Sequence, residues 1–213
     1  MIGLFGGTFN PIHFGHLRPA IDVVDNLKLS KLFFIPCGVP PHRNRPEVRP
    51  EIRYELIQAA IQNEPELEVD DREIHRKGVS YTVDTLREYR LERGEESICL
   101  IIGKDAFLEL HTWHNWQELI QLAHLVVLHR PGYDIHDDTE LVSPALFSLM
   151  QTRVTDSLCT LQENTAGYIN FQAVTQLNIS STHIRELVRQ GKNISFLLPE
   201  SVKQKISTLN LYK

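Results

Sequence analysis

The sequence predicts an α/β fold in which an open parallel sheet carries helices on both faces. Three observations support this. Short apolar runs of strand length recur along the chain, segments of helical periodicity lie between them, and the first strand–helix unit is joined by a Gly-Gly turn. A strand, a helix and another strand in succession imply a parallel sheet with right-handed crossovers. We therefore expect a Rossmann-like sheet with a small helical segment at the C-terminal end.

The strands are predicted from their apolar runs, in chain order. The run 98–102 is the most apolar, which predicts a central strand, whereas 67–74 alternates apolar and acidic residues and predicts a half-exposed edge strand. Residue 36, a proline, ends the second strand. The predicted strands are residues 2–5, 32–35, 67–74, 98–102, 125–129 and 168–174.

Helices are predicted where apolar residues recur at helical spacing or where capping residues stand. The first covers 16–28, with Pro19 in its first turn, where the missing N–H costs little. Serine and threonine in 80–86 are expected to cap a helix that ends at Gly94. The other predicted helices are residues 51–63, 144–152, a helix that follows 179–182 and runs to 189, and a terminal helix opened by Pro199.

Length and composition limit the number of domains, the partners and the compartment that the chain can be expected to have. The 213 residues suit a single domain over 1–213, with a C-terminal helical subregion at about 181–213. A net charge of −5 disfavours nucleic-acid partners, and no apolar run of membrane-spanning length occurs. The isolated cysteines Cys37, Cys99 and Cys159 read as reduced thiols, which predicts a cytoplasmic protein. A monomer or a small homo-oligomer is expected.

The most informative stretch is residues 6–16, Gly-Gly-Thr-Phe-Asn-Pro-Ile-His-Phe-Gly-His. Glycines allow the backbone to approach a ligand, and the helix that follows offers free N–H groups to a phosphate. His13 and His16 can donate hydrogen bonds to the same phosphates. The stretch is not a P-loop, because no lysine followed by serine or threonine is present, and it lacks the third glycine of the dinucleotide fingerprint.

A second anion site is predicted at residues 179–185, Ile-Ser-Ser-Thr-His-Ile-Arg. Hydroxyl groups and free N–H groups at a helix start bind anions, and Arg185 adds a fixed positive charge one turn later. The proline-rich, basic loop at 36–50 follows a strand, where open α/β sheets bind ligands. His111 and His114 form an HxxH pair, but two imidazoles are too few for a metal site, so no protein-bound metal is predicted.

The stretch 6–16 resembles the first signature of the superfamily of nucleotidyltransferases that transfer a nucleoside monophosphate from ATP or CTP, and 179–185 resembles the second. Asn10 stands where the usual string has aspartate. The segments 39–43, 80–82, 112–113 and 130–132 in this order extend the resemblance to the nicotinate-nucleotide adenylyltransferases over essentially the whole chain. This resemblance implies ATP and nicotinate mononucleotide as substrates, deamido-NAD and pyrophosphate as products, and Mg²⁺ bound through the ATP phosphates.

The resemblance also implies roles for individual residues. The catalytic residues would be His13, His16 and Arg185. ATP binding would fall to Gly6, Gly7, Thr8, Phe9, His13, His16, Gly103, Asp105, Arg130, Ser181, Thr182 and Arg185. Nicotinate mononucleotide binding would fall to Thr8, His42, Arg43, Tyr81, Thr82, Thr85, Trp113 and His114.

Because the attacking group is already an anionic phosphate, this chemistry requires positioning and charge neutralisation rather than a protein nucleophile. Two alternatives stay open. One is a cytidylyl- or adenylyltransferase for another phosphorylated acceptor, which is expected to lack the pair Thr112-Trp113. The other is a non-catalytic nucleotide-binding protein on the same scaffold, which is expected to have lost His16 or Arg185; both are present.

Overall fold

The computed structural model describes residues 1–40, 46–132 and 142–213. Their strands form one parallel sheet in the order β3-β2-β1-β4-β5-β6. This confirms the predicted α/β class, and it confirms that the third strand lies at an edge. The strands are β1 (Ile2–Gly7), β2 (Lys31–Pro36), β3 (Leu67–Val69), β4 (Ile98–Gly103), β5 (His124–His129) and β6 (Ile169–Ala173).

The helices between and after the strands cover both faces of the sheet. In the described residues they are α1 (Phe14–Leu27), α2 (Pro50–Ile61), α3 (Arg72–His75), α4 (Thr82–Arg93), α5 (Lys104–Leu108), α6 (Trp116–Leu122), α7 (Pro144–Arg153), α8 (Leu158–Glu163), α9 (Ser181–Arg189) and α10 (Glu200–Thr208), with a 3-10 turn at Leu110–Thr112. Within the same ranges, no helix has the length and apolar character needed to cross a bilayer.

Two buried hydrophobic clusters hold the helices against the two faces of the sheet. On one face, apolar residues of α1, α2, α9 and α10 pack against the sheet, and on the other face α4, α6 and α7 do so. The apolar runs of β4 and β5 contribute to both clusters, because successive side chains of a strand point to opposite faces. The predicted C-terminal helices therefore complete the core on the face that carries α1.

Two predicted boundaries are wrong. The first helix begins at Phe14 rather than at residue 16, so Pro19 lies in its second turn and not in its first. The predicted strand 67–74 ends at Val69, because the carboxylate of Asp70 accepts the backbone N–H of Arg72 at 2.9 Å and turns the chain into α3. Alternation alone could not distinguish that turn from two more strand residues.

The predicted cap at 80–86 is also wrong. The N-cap of α4 is Tyr81, and no side chain caps this helix. The Ser80 hydroxyl, 6% exposed, instead accepts the backbone N–H groups of Gly38 at 3.1 Å and Val39 at 3.3 Å. It therefore ties the loop that follows β2 to the turn that precedes α4. A partner 42 residues away gave no local signal.

Candidate active site

The strand order changes direction between β1 and β4. The chain builds outward from β1 to β3 on one side and then from β4 to β6 on the other, and ligands of open α/β folds bind outside the carboxyl ends of strands at such a point. A mainly apolar cleft of about 200 Å³ opens at this place, and its walls include Phe5, Gly15, Gly103, Leu128 and Leu177. The first glycine-rich motif and the end of the central strand are thus brought to one site.

His13 and His16 lie at the start of α1, beside this cleft. Their rings are stacked, with centroids 3.8 Å apart and planes inclined by 28°. The ring of Phe9 meets that of His16 edge to face at 5.1 Å. Gly15 makes the pair possible, because a Cβ there would lie 3.0 Å from two His13 ring atoms and 3.1 Å from the carbonyl oxygen of Ile179. Gly15 was not among the predicted site residues, although its place between the histidines signals it.

The histidine pair is uncharged in the free protein. Burial lowers the pKa of His13 to about 4, and burial together with the neighbouring His13 lowers that of His16 to about 3. Within the described residues, the buried side-chain nitrogens without a hydrogen-bond partner are Nδ1 of both rings, Nε of Arg185 and Nη2 of Arg76, and the last still pairs with the Glu88 carboxylate at 2.7 Å. Buried polar atoms are normally satisfied, so the atoms on His13, His16 and Arg185 single out this place as a candidate site.

The second motif lies directly against the first. Ser180 caps α9 by accepting the backbone N–H of His183 at 3.2 Å. Its neighbour Ser181 donates its hydroxyl to the carbonyl oxygen of Pro11 at 2.8 Å, across 170 positions of sequence. The predicted capping is confirmed, and the two motifs, distant in sequence, meet in space.

Arg185 joins the same contact. One of its terminal nitrogens donates to the carbonyl oxygen of Asn10 at 2.7 Å, and the other donates to the Thr182 hydroxyl at 3.2 Å. The carboxylate of Glu47 lies 3.7 Å from its Nε. The guanidinium is therefore held by polar groups on several sides, close to the start of α1.

Gly6, Gly7, Thr8 and Phe9, also predicted to bind ATP, differ in their solvent exposure and packing. Gly6 is exposed, with open space where a Cβ would stand. Gly7 lies against the Phe9 ring, where a Cβ would be 2.7 Å away. Phe9 itself is 3% exposed, and its side chain packs in the core. The carbonyl oxygen of Thr8 accepts a hydrogen bond from Arg53 at 2.6 Å.

On the other side of the cleft, Gly103 ends β4, and the exposed Asp105 lies in the first turn of α5. Arg130, after β5, is exposed and donates from Nε to the amide oxygen of Gln176 at 3.0 Å. Gln176 also lines the cleft. Gly103, Asp105 and Arg130 therefore follow adjacent strands, as expected for residues around one ligand.

Residues predicted to bind the acceptor converge beyond β4. The ring of His114 lies on that of Tyr81, with centroids 4.4 Å apart. This contact joins the end of the 3-10 turn, where Trp113 is half-buried, to the start of α4 at Thr82. Tyr81 and Trp113 pack against the same buried cluster. The Ser80 contact adds the loop after β2, so three separate segments meet here.

Thr85, also predicted to bind the acceptor, is turned inward. It is 3% exposed, donates its hydroxyl to the Glu73 carboxylate at 2.6 Å and accepts from Arg76 at 2.9 Å. Its side chain is thus used to hold α3 against α4. His42 and Arg43 lie outside the described residues.

Arg53 was not among the predicted site residues, yet it binds the loops next to the site. It is fully buried and donates to the carbonyl oxygens of Thr8 at 2.6 Å, Cys37 at 2.5 Å and Val48 at 3.2 Å. The burial lowers the pKa of its guanidinium. Arg53 therefore connects the loops that follow β1 and β2. Its sequence context is an ordinary helix position, so the sequence carried no signal.

Within residues 1–40, 46–132 and 142–213, no three histidine, cysteine or carboxylate side chains form a group that could hold a metal ion. In the HxxH pair, His111 contacts the carbonyl oxygen of Leu108 at 3.2 Å, whereas His114 lies on Tyr81.

Comparison with known proteins identifies the family of this chain. Residues 4–187 match the family described as cytidylyltransferase-like. The chain is 47% identical to a probable nicotinate-nucleotide adenylyltransferase of Halorhodospira halophila, with 99% of this chain and 94% of that protein covered. It is 44% identical to a protein of the same description from Methylococcus capsulatus, with 100% and 99% covered.

A solved structure gives the same fold at much lower sequence identity. The nicotinic acid mononucleotide adenylyltransferase of Plasmodium falciparum, complexed with NaAD, superposes with a TM-score of 0.73 over 99% of this chain and 96% of that one. The two sequences are 16% identical, so this match establishes the fold alone.

Proposed function

Because this chain belongs to the nicotinate-nucleotide adenylyltransferase family, within the cytidylyltransferase-like proteins, we propose that it transfers the adenylyl group of ATP to nicotinate mononucleotide. The products are deamido-NAD and pyrophosphate, and the reaction belongs to the biosynthesis of NAD. The observation that supports this most directly is the stacked pair of His13 and His16, with unpartnered buried Nδ1 atoms, at the switch point of the sheet.

The step is a displacement at the α-phosphorus of ATP. A phosphate oxygen of nicotinate mononucleotide forms a bond to that phosphorus, and the bond from the phosphorus to the oxygen that bridges it to the β-phosphate breaks, which releases pyrophosphate. The attacking phosphate is an anion and needs no general base. Catalysis by the protein then consists of holding both substrates in line and neutralising the charge of the leaving pyrophosphate.

In this proposal His13 and His16 donate to the α- and β-phosphates. Each neutral imidazole has one N–H donor, and binding a polyanion favours uptake of a proton by rings whose pKa is lowered in the free protein. Ser181, Thr182 and the guanidinium of Arg185, at the start of α9, hold the β- and γ-phosphates. The cleft bordered by Gly103 holds the adenosine, and Arg130 contacts Gln176, which lines that cleft.

Nicotinate mononucleotide is proposed to lie on the other side of β1 and β4. Trp113 would stack on the pyridine ring, and the start of α4, at Thr82, would meet its carboxylate. Tyr81 and His114 hold these two segments together. The segment that carries His42 and Arg43 would contact the phosphate.

Nucleotidyltransferases generally use a divalent metal with ATP, and Mg²⁺ is proposed here as part of the ATP complex. Mg²⁺ prefers oxygen ligands, and the exposed Asp105 follows Gly103, which borders the cleft. The phosphate oxygens would supply further ligands. When bound, the metal would neutralise charge on the leaving pyrophosphate.

The purified chain tests this function directly. Incubated with ATP, Mg²⁺ and nicotinate mononucleotide, it should form deamido-NAD and pyrophosphate in equal amounts, measured by chromatography and by a coupled pyrophosphate assay. CTP in place of ATP, and nicotinamide mononucleotide or a phosphorylated alcohol in place of the acceptor, complete the panel. Faster turnover with CTP and a phosphorylated alcohol would favour the cytidylyltransferase alternative, and no turnover with any pair would favour the non-catalytic one.

The compartment and the assembly are part of the same proposal. We place the reaction in the cytoplasm, because Cys99 and Cys159 form no disulfide. A monomer or a small homo-oligomer is proposed. The sedimentation velocity of the purified protein would determine the assembly.

A further inference from the structure

The C-terminal tyrosine reaches the first motif. Tyr212 is 5% exposed, and its hydroxyl donates to the side-chain oxygen of Asn10 at 2.7 Å, across 202 positions of sequence. Asn10 is 7% exposed, so its amide oxygen has little access to water. Burial raises the pKa of Tyr212, which keeps its hydroxyl protonated as a donor. Arg53 and Arg185 are both close enough to interact electrostatically with this hydroxyl.

The hydrogen bond belongs to a set that fixes one short segment. Residues 10–13 lead from β1 into α1 and end at His13. Arg185 binds the carbonyl oxygen of Asn10, Ser181 binds that of Pro11, and the backbone N–H of Phe14 donates to the carbonyl oxygen of Leu197 at 3.1 Å. The segment is thus held by α9, by the loop before α10 and by the last residues of the chain.

Within this set, Tyr212 holds the side chain of Asn10, whereas the other contacts are to backbone atoms. The asparagine side chain is three residues from His13, and the intervening Ile12 is fully buried in the same core cluster. A displacement of Asn10 would therefore be transmitted to the His13 ring, whose stacking on His16 leaves little room for adjustment.

We propose that Tyr212 is a positioning residue for adenylyl transfer: its hydroxyl fixes Asn10, and through the segment 10–13 it fixes His13 beside His16. This inference rests on the proposed function. It assigns a role in the active site to the last residues of the chain, which the two sequence motifs do not include.

The test compares two substitutions that each remove one buried hydroxyl. Tyr212→Phe removes the bond to Asn10. Tyr89→Phe is the matched control, because Tyr89 is fully buried, donates to the Asp70 carboxylate at 2.7 Å and lies on α4, against the opposite face of the sheet. The free energy of one neutral hydrogen bond typically corresponds to a factor of ~2 to 10 in a rate or equilibrium constant. Tyr212→Phe should lower kcat for deamido-NAD formation ~3- to 10-fold, with both KM values within about twofold of the parent.

Tyr89→Phe should keep kcat within about twofold of the parent. Its melting temperature should fall by about as much as that of Tyr212→Phe, because each substitution removes one buried hydroxyl. A third variant, Asn10→Ala, removes the acceptor, and adding Tyr212→Phe to it should cause little further loss. Parent-like turnover of Tyr212→Phe, an equal loss in Tyr89→Phe, or losses that multiply in the double variant would each overturn the proposal.

A measurement on the free proteins separates this inference from the proposed function. The titration of His13, followed by NMR of its ring, should move in Tyr212→Phe from a pKa of about 4 toward the ordinary value of 6.5, and it should not move in Tyr89→Phe. If the parent forms no deamido-NAD, the proposed function fails while this comparison still decides the role of Tyr212. An unchanged His13 titration in Tyr212→Phe would overturn the positioning role.

Discussion

At the scale of single residues, His16 is the side chain on which the proposed chemistry depends most. Its ring is stacked on His13 and braced by Phe9, so its direction is fixed before any substrate arrives. A donor that is already oriented needs no rearrangement as charge develops, and this is the usual origin of large effects on turnover.

We therefore expect His16→Ala to lower kcat by ~10²- to 10³-fold, the usual effect of losing one transition-state donor, while the fold is retained. Steady-state kinetics and circular dichroism measure the two expectations. The exposed His75 provides the control, because its ring contacts the Asp71 carboxylate at 3.1 Å and His75 is far from the site in sequence. Near-normal turnover of pure His16→Ala would remove this residue from the mechanism.

The same pair makes stability depend on pH. Histidine in the unfolded chain takes up a proton as the pH falls through 6.5, whereas burial keeps His13 neutral until about pH 4 and His16 until about pH 3. The unfolded state then binds more protons, so the free energy of unfolding is fully retained above pH 6.5 and falls as the pH drops toward 4. Buried His124, whose pKa is also lowered by burial, contributes in the same direction.

Urea denaturation at about pH 7 and about pH 5 measures this dependence. His16→Asn should lose less free energy of unfolding between the two values than the parent does, and exposed His75→Asn should follow the parent. An identical pH dependence in His16→Asn and the parent would show that the imidazole pair is not held neutral.

At the scale of elements, the fully buried Arg53 and the half-buried Arg90 hold carbonyl oxygens at opposite ends of the strands. Arg53 binds the loops that follow β1 and β2, at the end that carries the site. Arg90 binds four carbonyl oxygens at the other end, among them those of Leu122 and Thr165 at 2.5 and 2.9 Å. Both arginines thus donate to several carbonyl oxygens, Arg53 near the proposed substrates and Arg90 away from them.

Arg53→Met removes a fully buried donor from three carbonyl oxygens and should lower the free energy of unfolding by about 2–4 kcal/mol. Because the bonds to Thr8 and Cys37 are then lost, kcat/KM for nicotinate mononucleotide should also fall ~3- to 10-fold. Arg90→Met should also destabilise the protein, and it should keep kcat/KM within about twofold. Equal kinetic effects of the two substitutions would contradict a specific role for Arg53 in the site.

Elements were predictable where one local pattern decides them. The strands were found because fully buried strands are apolar throughout, and α9 was found because Ser180 caps it locally. Ser80 shows the limit: the same residue type, also before a helix, binds backbone N–H groups of a distant loop instead. Residues such as Tyr212 and Arg53 act over long sequence distances, so only the folded chain reveals their partners.

At the scale of the whole molecule, different parts of the chain are proposed to hold the two substrates. The ends of β4 and β5, at Gly103 and Leu128, border the cleft proposed for ATP, whereas the loop after β2, the start of α4 and the 3-10 turn gather on the acceptor side. The histidine pair follows β1, which lies between the two sides. Acceptor choice can therefore be tested without disturbing the proposed ATP side.

The choice between nicotinate and nicotinamide mononucleotide should depend on the start of α4, whereas stacking on Trp113 serves both rings equally. This 12-residue helix has no side-chain cap, so the free N–H groups at its start and its dipole favour a carboxylate. An amide NH₂ in the same place would put a donor against donors. Each unpaired group would then cost ~1–3 kcal/mol of binding free energy. The parent should thus prefer nicotinate mononucleotide by ~10-fold or more in kcat/KM. Trp113→Ala should lose affinity for both acceptors and keep that ratio, and half-buried Trp116→Phe, on α6, is the control for aromatic packing. Equal use of both acceptors by the parent would contradict the helix-start argument, and an unaffected Trp113→Ala would contradict the stacking one.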